Sequence, residues 1–137
     1  MKRILVIAIT VCTIYSCKDN TQQEKDLLNQ ILKVHDGVMT KDETLMKSKN
    51  KMDSLLKTTM KDTAEKTNVK GIDLRLTAAG EAMENWMNKF QPDMTGKSHE
   101  EVMKYYGEQK KQVAAIDSQI NVAIKEADQY LSTHKIK

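Results

Sequence analysis

His35, Met39 and Asp42 are spaced by four and then three residues. On a helix that spacing stacks them along one face. Met83, Trp86 and Met87 form a second local group, with Met94 soon after. One imidazole with several thioether sulfurs is a soft-ligand set of the kind that suits Cu(I), or His/Met ligation of a haem. His35 and Met39 are the two residues that such a site would use. The competing reading is structural: methionine fills irregular cores and packs well against tryptophan. No Met-x-x-Met run and no Cys-x-x-Cys-His haem attachment accompanies the group. His35 with Asp42 could be a base and its orienting acid, but no nucleophile joins them. The chain also lacks a Gly-rich phosphate loop, a Gly-x-Ser-x-Gly elbow and a His-Glu-x-x-His pair. The expectation is a protein without a catalytic centre. His99, just after a capping serine, is expected in water, and His134 lies near the terminus.

Cys17 is the other residue with chemistry of its own. Lys2 and Arg3 precede an apolar run over residues 4–14, which ends in Ile14, Tyr15, Ser16 and Cys17. The run is shorter than the ~20 residues a membrane-spanning helix needs. It has the length of the h-region of a secretory signal. A branched apolar residue three before the cysteine and a small residue directly before it fit the bacterial lipobox, with Tyr15 bulkier than usual. Residues 1–16 are therefore expected to be a lipoprotein signal peptide, with Cys17 acylated and residues 17–21 a lipidated linker. Stable anchoring takes more than one acyl chain, which a tri-acylated cysteine supplies. An ordinary secretory signal with a chance cysteine is the alternative. Lys18 and Asp19 resemble the short signal that sends some Bacteroidota lipoproteins to the outer face of the outer membrane; they also serve as plain polar linker.

Of the 22 basic residues, 20 remain without Lys2 and Arg3, against 19 acidic ones. A near-neutral domain has no net field to drive counterion release, which argues against nucleic acid. Cys12 and Cys17 are the only two cysteines. If one leaves with the signal and the other is acylated, the domain is held by packing alone or with a bound partner. A single Pro, a single Phe and five Gly point away from β architecture, and abundant Lys, Glu, Gln, Ala, Leu and Met point to helix.

Residues 22–137 are expected to form one helical domain. Thr21 with Glu24, Asp62 with Glu65, and Ser98 with Glu101 have the spacing of capping boxes. The first helix has a seam of Leu28, Ile31, His35, Val38, Asp42, Leu45, Lys49, Met52 and Leu56, widened by Leu32, Met39, Met46 and Met60, and fades near Thr58. The second has Val69, Ile72, Leu76, Ala79, Met83, Trp86 and Phe90, with Gly71 as a fault from which it could instead begin. A turn follows around Pro92 and Gly96. The third helix carries two lines: Val102, Gln109, Ile116, Ala123, Tyr130; and Tyr106, Val113, Ile120, Ala127, His134. Alternating steps of three and four are the period of helices packed along their length. The fold expected is all-α, an up-down-up antiparallel three-helix bundle with long, coiled-coil-like helices. In that register His35, Phe90 and His99 share one end. The first turns of helix one (Leu27, Leu28, Ile31) and the end of helix three overhang helix two, which suggests a homo-oligomer or an envelope protein partner, with fraying or bending of those ends as the alternative. Lys47, Lys49, Lys51 and Lys57 read as a solvated face that could also touch anionic lipid or polysaccharide.

The segment His35, Asp36, Gly37, Val38, Met39, the Trp86-Met87 pair preceded by Met83, and a last helix with Gln109, Lys110 and Lys111 resemble a group of small Bacteroidota lipoproteins often labelled viral A-type inclusion proteins. Gly37 departs from that pattern, where a charged or helix-favouring residue is expected. The resemblance implies a helical, lipid-anchored cell-envelope protein and implies no activity; the location expected for the chain is the outer membrane, on its periplasmic face or at the cell surface. A non-catalytic structural or protein-interaction module is the first functional expectation, and copper or haem binding through His35 and Met39 the second.

Overall fold

The computed structural model describes residues 15–58 and 62–134. The signal-peptide reading of residues 1–14, the stripe position Met60 and the turn near residues 59–61 lie outside the described residues. Three helices follow one another: α1, Tyr15–Lys57; α2, Thr63–Lys89; α3, His99–Thr133. All three pairs are in contact, and the described residues contain no strand. The chain is an up-down-up helical bundle.

Capping fixes two of the three starts. The Asp62 carboxylate accepts from the Ala64 and Glu65 amides, satisfying donors that have no partner within α2. Ser98 and Glu101 form a complete reciprocal capping box at α3. The box expected at Thr21 does not start a helix: α1 begins at Tyr15 and passes through Thr21. Glu24 turns instead to His99, its Oε1 accepting from Nδ1 at 2.8 Å. The expected linker at residues 17–21 is thus helical, and Cys17 lies in the first turns of α1. Gly71 does not break α2, which runs through it.

Among the described residues the core forms one cluster between Ile31 and Leu131, all of it within the chain from Lys18 onward. In α2 every expected seam residue from Val69 to Trp86 is buried, with Phe90 half-buried at the C-cap. In α3 both lines hold, with Gln109 and Ile116 half-buried and His134 exposed as the C-cap. In α1 the buried line is Ile31, Val38, Leu45 and Met52. It is flanked on both sides, because a helix in a three-helix bundle has two neighbours. Lys41 reaches Asp117 of α3 and Ser48 is buried on that side, whereas Lys49 lies 3.5 Å from Asp73 of α2. Asp42, expected in the seam, is exposed.

Leu32, Met39 and Met46 do not widen the buried stripe; they are exposed. Each is one residue beyond the inward line, about 100° round the helix, past the edge facing α2. The expected apolar overhang is also absent. Ile31 is fully buried, Leu27 and Leu28 pack on the core, and Tyr130 and Leu131 are buried at the other end.

The connection between α2 and α3 is longer in space than a tight turn. Phe90 leaves α2 in an extended conformation, and Pro92 disfavours a helical conformation at the residue before it, Gln91. The segment runs back along α3: the Gln91 amide donates to the Tyr105 hydroxyl at 2.9 Å, and the Tyr106 hydroxyl donates to the Pro92 carbonyl at 2.8 Å. Gly96, with φ of 82°, makes the final bend, where a side chain would be strained. This descent moves the start of α3 down to the level of Glu24.

Candidate functional site

That shift decides which expected site residues meet. His35 and Trp86 lie with ring centroids 6.1 Å apart, Trp86 stacks on Phe90 at 4.8 Å, and Phe90 faces Tyr105 at 6.4 Å. The result is an aromatic column joining all three helices. His99 is not part of it: it is half-buried against Glu24 rather than in water, and does not share the level of His35.

His35 is held by its neighbour. Its Nδ1 lies 3.0 Å from the Asp36 carboxylate, which can only accept, so Nδ1 carries the proton. The partner is Asp36 and not Asp42. In the neutral ring Nε2 then keeps its lone pair, the form a metal would require. Met39 is one turn further along α1 and 42% exposed. Among the described residues no group of three or more His, Cys, Asp or Glu side chains could hold a metal ion, so a site here would need methionine sulfur to complete it.

Trp86 is 5% exposed, and its Nε1 is buried without a hydrogen-bond partner among the described residues. Such a donor forfeits its bond to water, at a cost of about 1–3 kcal/mol. The stacking on Phe90 and the contact with His35 hold the ring in place despite that cost.

The exposed methionines define a second feature. Met39 and Met46 of α1 and Met87 of α2 stand over a groove of about 410 Å³, with Leu45, Leu76 and Met83 along its floor. Gly80 lies beside Leu45 on the groove floor, where a Cβ would make an ordinary contact of 3.5 Å with Leu45 Cδ2. Asp42, Glu81 and Glu84 line the rim. Sequence periodicity missed the groove, because a methionine one position off a seam looks like a broader seam. A second exposed apolar pair, Leu74 and Val122, lies over the α2–α3 groove.

The far end holds a cluster the sequence reading passed over. The buried Tyr130 hydroxyl donates to Glu65 at 2.9 Å, and the His134 ring stacks on Tyr130 at 4.1 Å while its Nδ1 donates to the Tyr130 carbonyl. Burial, reinforced by the bond to Glu65, pushes the Tyr130 phenol up to about 12. The i,i+4 spacing of Tyr130 and His134 was the available signal. The arrangement closes the bundle end and caps α3.

No known protein family, curated protein sequence or solved structure matches this chain. Among the described residues no helix is long and apolar enough to cross a membrane.

Proposed function

We infer that this is a lipid-anchored protein of the cell envelope, tethered to the outer membrane through acylated Cys17, whose bundle is a non-catalytic protein-interaction module. The lipobox-like sequence ending in Ser16 and Cys17 carries the reading. The helical architecture is compatible with it. Residues 17–23 of α1 precede the contact between Glu24 and His99, the first residue of α3. At about 1.5 Å per residue that stretch is roughly 10 Å long. The methionine groove gives the module an exposed apolar surface.

Photo-crosslinking in intact cells tests the interaction reading. Crosslinkers placed on the exposed faces of all three helices should give a discrete protein adduct from one face and little from the others. Adducts from no face would contradict it.

Copper or haem binding is the second reading, supported by the His35 tautomer and the adjacent Met39. Native mass spectrometry of the domain from Lys18 onward, offered Cu(I) or haem, separates the two. A stoichiometric adduct lost in His35→Ala supports the metal reading, and no adduct in either form rejects it.

A further inference from the structure

We propose that the methionine-lined groove between α1 and α2 binds an amphipathic α-helix of a partner protein whose flanking positions carry Lys or Arg. This rests on the interaction-module reading and names its surface and the chemistry of its partner.

The groove has the length of a helix site. It follows α1 from Met39 to Lys49 and α2 from Leu76 to Met87, which at about 1.5 Å per residue is roughly 15 Å, close to three helical turns. Its apolar lining is predominantly methionine. Unbranched thioether side chains can repack around a helix laid into a groove, and they offer polarisable contact without fixing one shape. Met39, Met46 and Met87 are 42%, 48% and 39% exposed, so the methyl groups an incoming helix would cover are in water.

Charge selects the occupant. Asp42, Glu81 and Glu84 are exposed on the rim, and none of them has an ion-pair partner among the described residues. Lys49, the one cation lining the groove among the described residues, is already engaged: its ammonium bonds Asp53 at 2.8 Å and lies 3.5 Å from Asp73. The rim therefore presents uncompensated carboxylates around an apolar floor. That pattern repels anionic lipid and nucleic acid and attracts a helix with apolar residues on one face and basic residues beside them. The other exposed apolar pair, Leu74 and Val122, has no such rim, since its nearby Arg75 is paired with Glu126.

The test uses the domain from Lys18 onward and a fluorescein-labelled helical peptide of Leu and Lys, with Leu at positions i, i+3, i+4 and i+7, beside a twin with Glu for Lys. The Leu/Lys peptide should bind with micromolar affinity, the Glu twin at least tenfold more weakly, and the Met39, Met46 and Met87 methyl signals should shift in 13C NMR. Glu81→Lys with Glu84→Lys, both on the surface, should lower affinity about tenfold or more, whereas Leu74→Gln should leave it unchanged. No binding, equal binding of the twin, or shifts confined to other methionines would overturn the proposal. A groove filled by a second copy, seen as a sedimenting dimer that Met46→Lys dissociates, would overturn the assignment of a distinct partner. In cells, adducts arising only from a face other than Met46 and Met87 would overturn the groove and leave the interaction reading intact; adducts from no face would remove both.

Discussion

His99 Nδ1 donates to Glu24 Oε1 across 2.8 Å, joining the first residue of α3 to α1 at a point well after the start of α1. This contact fixes how the two parallel helices are staggered, with Lys110 bonded to Gln30 and Lys41 to Asp117 further up. Both partners of the His99 pair are about one-third exposed or less, so solvent screens it in part. His99→Ala should cost about 0.5–1 kcal/mol in chemical denaturation. A double-mutant cycle with Glu24→Ala should return a coupling of similar size, and a coupling of zero would remove the pair from the stagger.

Gly37 is a helical glycine with open space where a side chain would stand. Gly37→Ala should therefore stabilise the bundle by about 0.5–1 kcal/mol, through lower unfolded-chain entropy and better helix propensity. The check is an upward shift in thermal midpoint with an unchanged helical spectrum.

Alkaline stability is set at the two ends of the bundle. Burial holds the Tyr130 phenol up to about 12 and also raises Tyr106 above the usual tyrosine value of 10.0. A group whose folded value lies above its unfolded one contributes stability that is complete below the unfolded value and lost as pH rises through the folded one. Stability should fall between about pH 10 and 12. Tyr130→Phe should flatten that fall while lowering stability at neutral pH, where the bond to Glu65 is lost. On the acid side the signs reverse. The Lys49 ammonium holds Asp53, and the Ser98 amide holds Glu101, below the ordinary carboxylate range, so their contribution is present at neutral pH and lost as pH falls. Urea midpoints across pH check both limbs.

Trp86 is the only tryptophan, and its burial between His35 and Phe90 makes it a clean reporter. Its emission should be blue-shifted in the folded protein and move to longer wavelength on unfolding. Trp86→Ala should cost about 3–5 kcal/mol. Trp86→Phe should cost much less, because it keeps the stacking and removes an indole N–H that has no partner among the described residues.

How much of this was legible differs from helix to helix. The inward line of α2 was readable residue by residue from Val69 to Trp86, because that helix presents a narrow apolar stripe. The two lines of α3 were equally plain. In α1 the pattern was ambiguous, because its flanks carry Lys41, Ser48 and Lys49. Polar residues that reach across to Asp117 and Asp73 can line a core without appearing apolar. The same ambiguity put Met39 and Met46 in the stripe rather than on the groove. The candidate site was half legible. His35 meets Trp86, which stacks on Phe90. His99 was misplaced because nothing in composition revealed that residues 90–98 run extended along Tyr105 and Tyr106.

The most direct measurement for the central claim is mass spectrometry of the mature amino-terminal peptide from membranes of the native host. The account predicts a peptide that begins at Cys17 and carries acyl chains, with the protein in the membrane fraction and Cys17→Ser no longer acylated. A mature chain that begins at Met1 or after another cut, with an unmodified Cys17, would contradict it.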